Sequence, residues 1–225
     1  MPAMLLAAPA SPADQEHAVR WGFGAGVDRK HHAAFETRFG FPLIEGWAMT
    51  ETGAAGCIMA TREPRQVGSA SFGRPEPFLE MRLVDDEGRE VAIGEPGELL
   101  VRATGSDPRR HFFCGYLKDD AATAEAWAGG WLHTGDLVRQ DAEGNCYFVD
   151  RKKNVIRRSG ENISAVEVES VLNQHPQVKA AAVAATPDPV RGDEVLACIV
   201  LREQEAFDAD ETARSIVSHA LSQLA

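Results

Sequence analysis

The stretch Asp150-Arg151-Lys152-Lys153-Asn154-Val155-Ile156-Arg157-Arg158-Ser159-Gly160-Glu161-Asn162-Ile163-Ser164 decides how the chain is read. Five of the eight residues from Arg151 to Arg158 are basic, in a chain with 23 Lys+Arg against 34 Asp+Glu. A charge run is ordinarily a solvated face. This one leads through a Gly-Glu-Asn loop into a helix start, and such a juxtaposition favours an anionic ligand. Ser164 and Glu167 have the spacing of a capping box, while Ile163 and Val168 sit at the staple positions. The stretch therefore marks a boundary. Residues 1–150 are expected to form one domain and residues 151–225 a small α+β domain.

Working downstream, Val155-Ile156 reads as a strand. The helix opened by Ser164 carries Val168, Val171 and Leu172 as its apolar stripe and stops at His175-Pro176. Strands at Val178–Ala185 and Val195–Arg202 follow, separated by a Pro/Asp/Gly loop. A last helix from about Asp210 puts Ala213, Ile216, Val217, Ala220, Leu221 and Leu224 on one face. That stripe needs a surface to pack against, and the expectation is that this small domain is incomplete.

Upstream, the texture differs. Trp21–Gly26 and Phe41–Gly46 are glycine-punctuated strand candidates, and Arg29–Phe39 between them has helical character with Gly40 as its stop. That alternation is strand–helix–strand material of a larger α/β sheet. From 68 to 150 the pattern becomes short strands and turns: Leu79–Val84, Gly97–Arg102, then Leu137–Gln140 and Cys146–Val149 about a turn at Asp141–Asn145. A small, mostly antiparallel module is expected there. Met1–Ala10 reads as a helix fragment ahead of a Pro9–Asp14 loop; its lack of a basic start argues against a secretion signal.

A formal net charge of −11 over 225 residues argues against duplex DNA, RNA or an anionic membrane as the main partner. No apolar run approaches the roughly 20 residues of a membrane span. Cys57, Cys114, Cys146 and Cys198 form no CxxC pair, which suggests free thiols in a reducing, cytoplasmic compartment. No internal repeat is visible.

Several local patterns point only weakly to chemistry. His31, His32 and Glu36 lie at helical spacing but without HExxH or a fourth ligand, and read as a solvated helix face. Gly22, Gly24 and Gly26 suggest a dinucleotide loop, yet Val27 occupies the place of its third glycine. There is no GxSxG.

Two further stretches are richer. In Gly46-Trp47-Ala48-Met49-Thr50-Glu51-Thr52-Gly53, glycines that admit close approach bracket an aromatic plane, a hydroxyl and a carboxylate. A base can stack on Trp47, Thr50 can donate to a phosphate, and Glu51 can hold a hard cation that bridges phosphates. A loop with a core tryptophan and an N-cap threonine is the competing reading. In Trp131-Leu132-His133-Thr134-Gly135-Asp136-Leu137, a carboxylate at a strand start can accept both hydroxyls of a ribose; an ordinary turn aspartate competes.

Together and in this order, the three stretches resemble the adenylate-forming superfamily, specifically the acyl-CoA synthetases. The resemblance runs from about Trp21 to Leu224 and includes Gly97–Arg102 and Gly115–Thr123. The Asp150-Arg-Lys-Lys form is similar to the branch that contains crotonobetaine/carnitine–CoA ligases. The resemblance implies an α/β plus α+β architecture: part of a large AMP-binding domain, as a sheet-and-helix remnant with a β-rich module, followed by a mobile C-terminal domain. It implies ATP/AMP, Mg²⁺ and coenzyme A as cofactors, a small carboxylic acid as substrate, and no nucleic acid or integral membrane partner. Oligomerisation is left open.

Residue by residue, the resemblance implies that Gly24, Ala25 and Gly26 form the loop between acyl pocket and adenine. Trp47, after Gly46, matches the adenine-stacking aromatic, Thr50 the phosphate-binding hydroxyl, and Glu51 the Mg²⁺ carboxylate. Asp136 and Arg151 match the ribose pair, Lys153 the hinge between half-reactions, and Gly160 the loop glycine of the pantetheine tunnel. Two features depart from the pattern. Nothing before Trp21 resembles the family's phosphate loop, and no lysine follows Lys179, where an adenylation lysine is expected. The reading is therefore part of an acyl-CoA synthetase, inactive by itself. A carrier-protein-loading ligase, a non-catalytic nucleotide-binding or interaction module, and a functionless gene fragment are the alternatives.

Overall fold

The computed structural model describes residues 2–53, 56–202 and 208–224. The chain divides into two compact units, Met1–Phe148 and Val149–Ala225.

The first unit begins with helix α1 (Pro2–Ala7), strand β1 (Gly22–Gly24), helix α2 (Arg29–Phe39), β2 (Leu43–Trp47) and β3 (Ile58–Met59). Arg38 ties the start of the chain to α2: its guanidinium donates to the carbonyls of Leu6, Ala8 and Pro9 and to Asp14. Asp28 caps α2 through the Lys30 N–H, and Gly40 ends the helix in the left-handed conformation. β1 and β2 run parallel with Gly24 opposite Glu45, and β3 adds antiparallel to β2. The strand–helix–strand expectation is met. Val27, Phe35 and Leu43 fill the space beneath α2.

The face read as solvated, His31-His32…Glu36, is corrected by the structure. His32 is 4% exposed. Its Nε2–H donates to the Leu43 carbonyl at 2.8 Å, and its Nδ1 accepts the Gly68 N–H at 3.2 Å. Glu36 accepts the Leu43 N–H at 2.7 Å and pairs with Arg65 through both oxygens. Burial alone raises the Glu36 carboxyl, but these donors outweigh it and hold it below the usual range. The helix face is a polar seam that fastens α2 to the chain around it. No cluster of three or more His, Cys, Asp or Glu residues able to hold a metal occurs among the described residues.

The rest of the unit is an antiparallel sheet of β4 (Ser71–Gly73), β5 (Leu79–Val84), β6 (Gly97–Ala103), β7 (Leu132–Gln140) and β8 (Cys146–Arg151), ordered β4-β8-β7-β6-β5, with helix α3 (Asp120–Ala126) before β7. β5 coincides with the run predicted as a strand. Trp47, Ile58 and Phe72 join the inward side chains of this sheet in one core. Cys146 lies in it with its thiol pushed up to about 12 by burial; all four cysteines are free.

The second unit contains β9 (Ile156–Arg158), β10 (Glu161–Ile163), α4 (Ala165–Leu172), β11 (Val178–Asp188), β12 (Gly192–Leu201) and α5 (Ala209–Gln223). The sheet order is β10-β9-β12-β11. Ser164 caps α4 by accepting the Glu167 N–H, and Ile163 and Val168 share the core with Val178 and Ile216. β11 and β12 extend further than predicted, leaving residues 189–191 as the turn. Pro187 is tolerated because β11 is an edge strand. The stripe of α5 is met in part. Thr212 and Ile216 are buried and Ala220 and Leu224 pack on the core, an i, i+4 ladder. Val217 and Leu221 are 56% and 74% exposed. No helix among the described residues is long and apolar enough to cross a membrane.

Candidate functional site

The Thr134-Gly135-Asp136 segment is a built feature of the sheet. β6 and β7 pair Glu98 with Leu137 and then Leu100 with His133, so three residues of β7 face the single residue Leu99. Thr134 anchors the bulge by donating its hydroxyl to the Leu99 carbonyl at 2.7 Å and accepting the Asp136 N–H at 3.1 Å. Gly135 takes φ 68°, a left-handed value that a side chain would strain. Bulges of this kind re-aim the residue that follows. Asp136 is turned inward and is 2% exposed.

Its carboxylate meets Trp47. The indole Nε1–H donates to Asp136 Oδ2 at 2.8 Å, joining β2 to β7 across 89 positions of sequence. Trp47 itself is 6% exposed and packed in the core. The two competing readings of this residue meet here: it is a core tryptophan whose polar edge orients a carboxylate. Gly46, just before it, is required by space, since a Cβ there would run into the Phe23 ring and the Ile58 carbonyl.

Beyond β2 the chain makes a 3-10 turn, Thr50–Thr52. Thr52 closes it, accepting the Met49 N–H and donating to the Met49 carbonyl. Thr50 is not the cap of that turn; its side chain is exposed. Glu51 accepts the Tyr116 hydroxyl at 3.1 Å. Burial, then the neighbouring Glu51 carboxylate, raises the Tyr116 phenol above its ordinary value. Tyr116 is in turn held by its N–H, which donates to the Thr123 hydroxyl at 2.9 Å. Sequence reasoning assigned Tyr116 no role, since its partner Glu51 lies 65 positions away.

Glu45 was missed as well. It follows Ile44 on β2, is buried, and accepts the Val27 N–H at 3.1 Å, which pins the end of the Gly24-Ala25-Gly26 loop. Burial pushes its carboxyl up, offset in part by backbone donors of Val27 and Gly26. Its Oε2 has no hydrogen-bond partner among the described residues. A cavity of about 690 Å³ lies against Ile44 and Met59, with Trp21, Phe41 and the Glu36–Arg65 pair around it. Side chains alternate along a strand, so this cavity opens on the face of β2 opposite Glu45 and Trp47.

In the second unit, Arg151 ends β8, Lys153 lies in a 3-10 turn, Lys152–Asn154, and Gly160 lies at the tip between β9 and β10. Ser159 and Gly160 both have positive φ, 52° and 88°, the signature of a two-residue hairpin. A Cβ at Gly160 would meet nothing within 4 Å. The basic run is partly spent within its own unit. Arg158 pairs with Glu194 at 2.6 Å, and Arg191 does likewise at 2.6 Å.

Residues 1–116 match the AMP-binding enzyme family, and residues 167–225 match the AMP-binding enzyme C-terminal domain. The chain belongs to the AMP-binding enzyme family. It is 35% identical over 209 residues to a crotonobetaine/carnitine–CoA ligase from Citrobacter koseri, covering 92% of this chain and 40% of that protein. Among solved structures it resembles o-succinylbenzoate CoA synthetase from Bacillus subtilis, in complex with an acyl-adenylate intermediate, at TM-score 0.78 and 27% identity over 99% of this chain and 43% of that one. It also resembles an anthranilate CoA ligase in complex with anthranoyl-AMP, at TM-score 0.72 and 29% identity over 96% and 41%. The chain thus spans about 40% of the length of the curated relatives it matches.

Proposed function

We propose that the chain is the part of an acyl-CoA synthetase that grips the nucleoside of ATP and carries the swinging small domain. The reaction joins a carboxylic acid to coenzyme A in two steps. The carboxylate attacks the α-phosphate of ATP, giving an acyl-adenylate and pyrophosphate; the thiol of coenzyme A then displaces AMP and loses its proton. The observation that carries this reading is the Trp47–Asp136 hydrogen bond, which brings two separate nucleotide-type motifs to one place.

The residues fit the nucleotide in distinct ways. Asp136, oriented by Trp47, accepts the ribose hydroxyls, with Arg151 as the second ribose contact. Trp47, buried in the core, acts on the nucleotide site through its indole N–H, which holds the Asp136 carboxylate. The Gly24-Ala25-Gly26 loop, pinned by Glu45, separates base from acyl group. Thr50 donates to a phosphate. Glu51, which accepts the Tyr116 hydroxyl here, would hold a nucleotide-borne Mg²⁺, and that ion would offset phosphate charge. Lys153 serves as the pivot and Gly160 lines the way for the pantetheine arm.

The test is a chimera in which residues 21–224 replace the matching part of a crotonobetaine/carnitine–CoA ligase. Acyl-CoA formation that is lost in Glu51→Ala supports the reading. A folded chimera that binds ATP and forms neither adenylate nor thioester counts against it.

A further inference from the structure

Asp150 is a carboxyl group of the second unit with three hydrogen-bond donors. It is fully buried. Its Oδ1 accepts the Arg151 N–H at 2.6 Å. Its Oδ2 accepts the Ser164 hydroxyl at 2.7 Å and the Val166 N–H at 3.2 Å. Ser164 passes the bonding on, since its oxygen accepts the Glu167 N–H at 3.2 Å. Two of the N–H groups that a helix start leaves unsatisfied are therefore served together, one by Asp150 and one by Ser164. An ordinary cap needs only the second. The first is supplied from 16 residues upstream.

The consequence is topological. Residues 150–166 form a loop closed by a side chain, and Arg151, the Lys152–Asn154 turn and the β9–β10 hairpin all lie inside it. A backbone rotation at Lys153 that carries α4 with it moves Ser164 and Val166 away from Asp150. Both bonds to Oδ2 must then break. We propose that Asp150 is a positioning residue that latches Lys153: the pivot is held rigid while Asp150 grips the start of α4 and is released when that grip opens. This rests on the reading of Lys153 as the pivot. It deepens that reading, because it gives one of the two states a specific bond to lose.

Limited trypsin digestion of the full 225-residue chain tests the latch without any need for turnover. Cleavage of a locally opened segment follows the population of the open form. Asp150→Ala is expected to speed cleavage after Arg151, Lys152 and Lys153 by about tenfold, the scale of losing one to two hydrogen bonds. Ser164→Ala, which leaves the Val166 bond, is expected to give a smaller rise at the same three sites. Cleavage after Lys118 and Lys179 and the melting temperature serve as internal controls. Unchanged cleavage at residues 151–153 in both variants overturns the latch, as does an equal rise at every site, which marks general destabilisation. If Asp150→Ala does not fold, Ser164→Ala decides alone: a rise confined to residues 151–153 supports the latch and its absence refutes it. Because this readout involves no ATP, a failed latch is distinguishable from a failed pivot, which is tested separately by Lys153→Pro.

Discussion

The indole N–H of Trp47 donates to the carboxylate of Asp136 at 2.8 Å, and neither side chain has appreciable contact with solvent. The bond links the strand before the acidic turn to the bulge of the antiparallel sheet. It does two things at once. It closes the core between two differently built sheets, and it fixes the rotamer of the carboxylate proposed to receive a ribose.

Trp47→Phe keeps most of the apolar area and removes the donor. A buried acceptor deprived of its partner costs about 1–3 kcal/mol. With about 2–4 °C per kcal/mol for a domain of this size, the first unit is expected to melt several degrees lower. Denaturant unfolding of wild type and variant checks this. An unchanged midpoint would mean that the bond contributes nothing to the fold.

The second unit is expected to lose stability in acid in two windows. His175 is buried beside His219, and burial first, then that neighbour, lowers its pKa below the ordinary 6.5. Its contribution is complete above that value and is lost as pH falls through the lowered one. Glu194 is held at about 2, against an ordinary 4.5, by Arg158 first, then Arg191 and the Val195 N–H. Its contribution is full above 4.5 and disappears as pH falls toward 2. Melting temperatures measured from pH 8 to pH 2 should decline in both ranges, and Glu194→Gln should flatten only the lower one. A decline unaltered by Glu194→Gln would remove Glu194 from the account.

Much of this was legible from local signals. Gly40 after an amphipathic run, Ser164 three residues before Glu167, and the Asp85–Gly88 turn after Leu79–Val84 are short-range patterns, and each element stands where its signal stood. What the sequence hid depends on partners far along the chain. His32 and Glu36 look solvated until Leu43, Arg65 and Gly68 are brought to them. In α5, periodicity identifies one apolar stripe but not which of its two adjoining ladders meets the core: Ala220 and Leu224 pack inward, and Val217 and Leu221 lie outward. Tyr116 on Glu51 and Asp150 on Ser164 are contacts that no spacing rule encodes.

Lys153→Pro tests the pivot. Proline fixes φ near −65° and removes an N–H. In the full-length chimera it is expected to slow thioester formation by at least about tenfold more than adenylation, since a closed site for one step does not require the swing. Equal loss in both half-reactions would make Lys153 structural.

The central claim is that this chain holds a nucleoside through Trp47 and Asp136. Calorimetric titration of the 225-residue chain with AMP measures it most directly. The account predicts a dissociation constant of about 0.1–1 mM, equivalent to roughly 4–5.5 kcal/mol, weakened at least about tenfold in Asp136→Ala with the fold retained. Absence of binding at millimolar AMP, or equal affinity in wild type and Asp136→Ala, would contradict it.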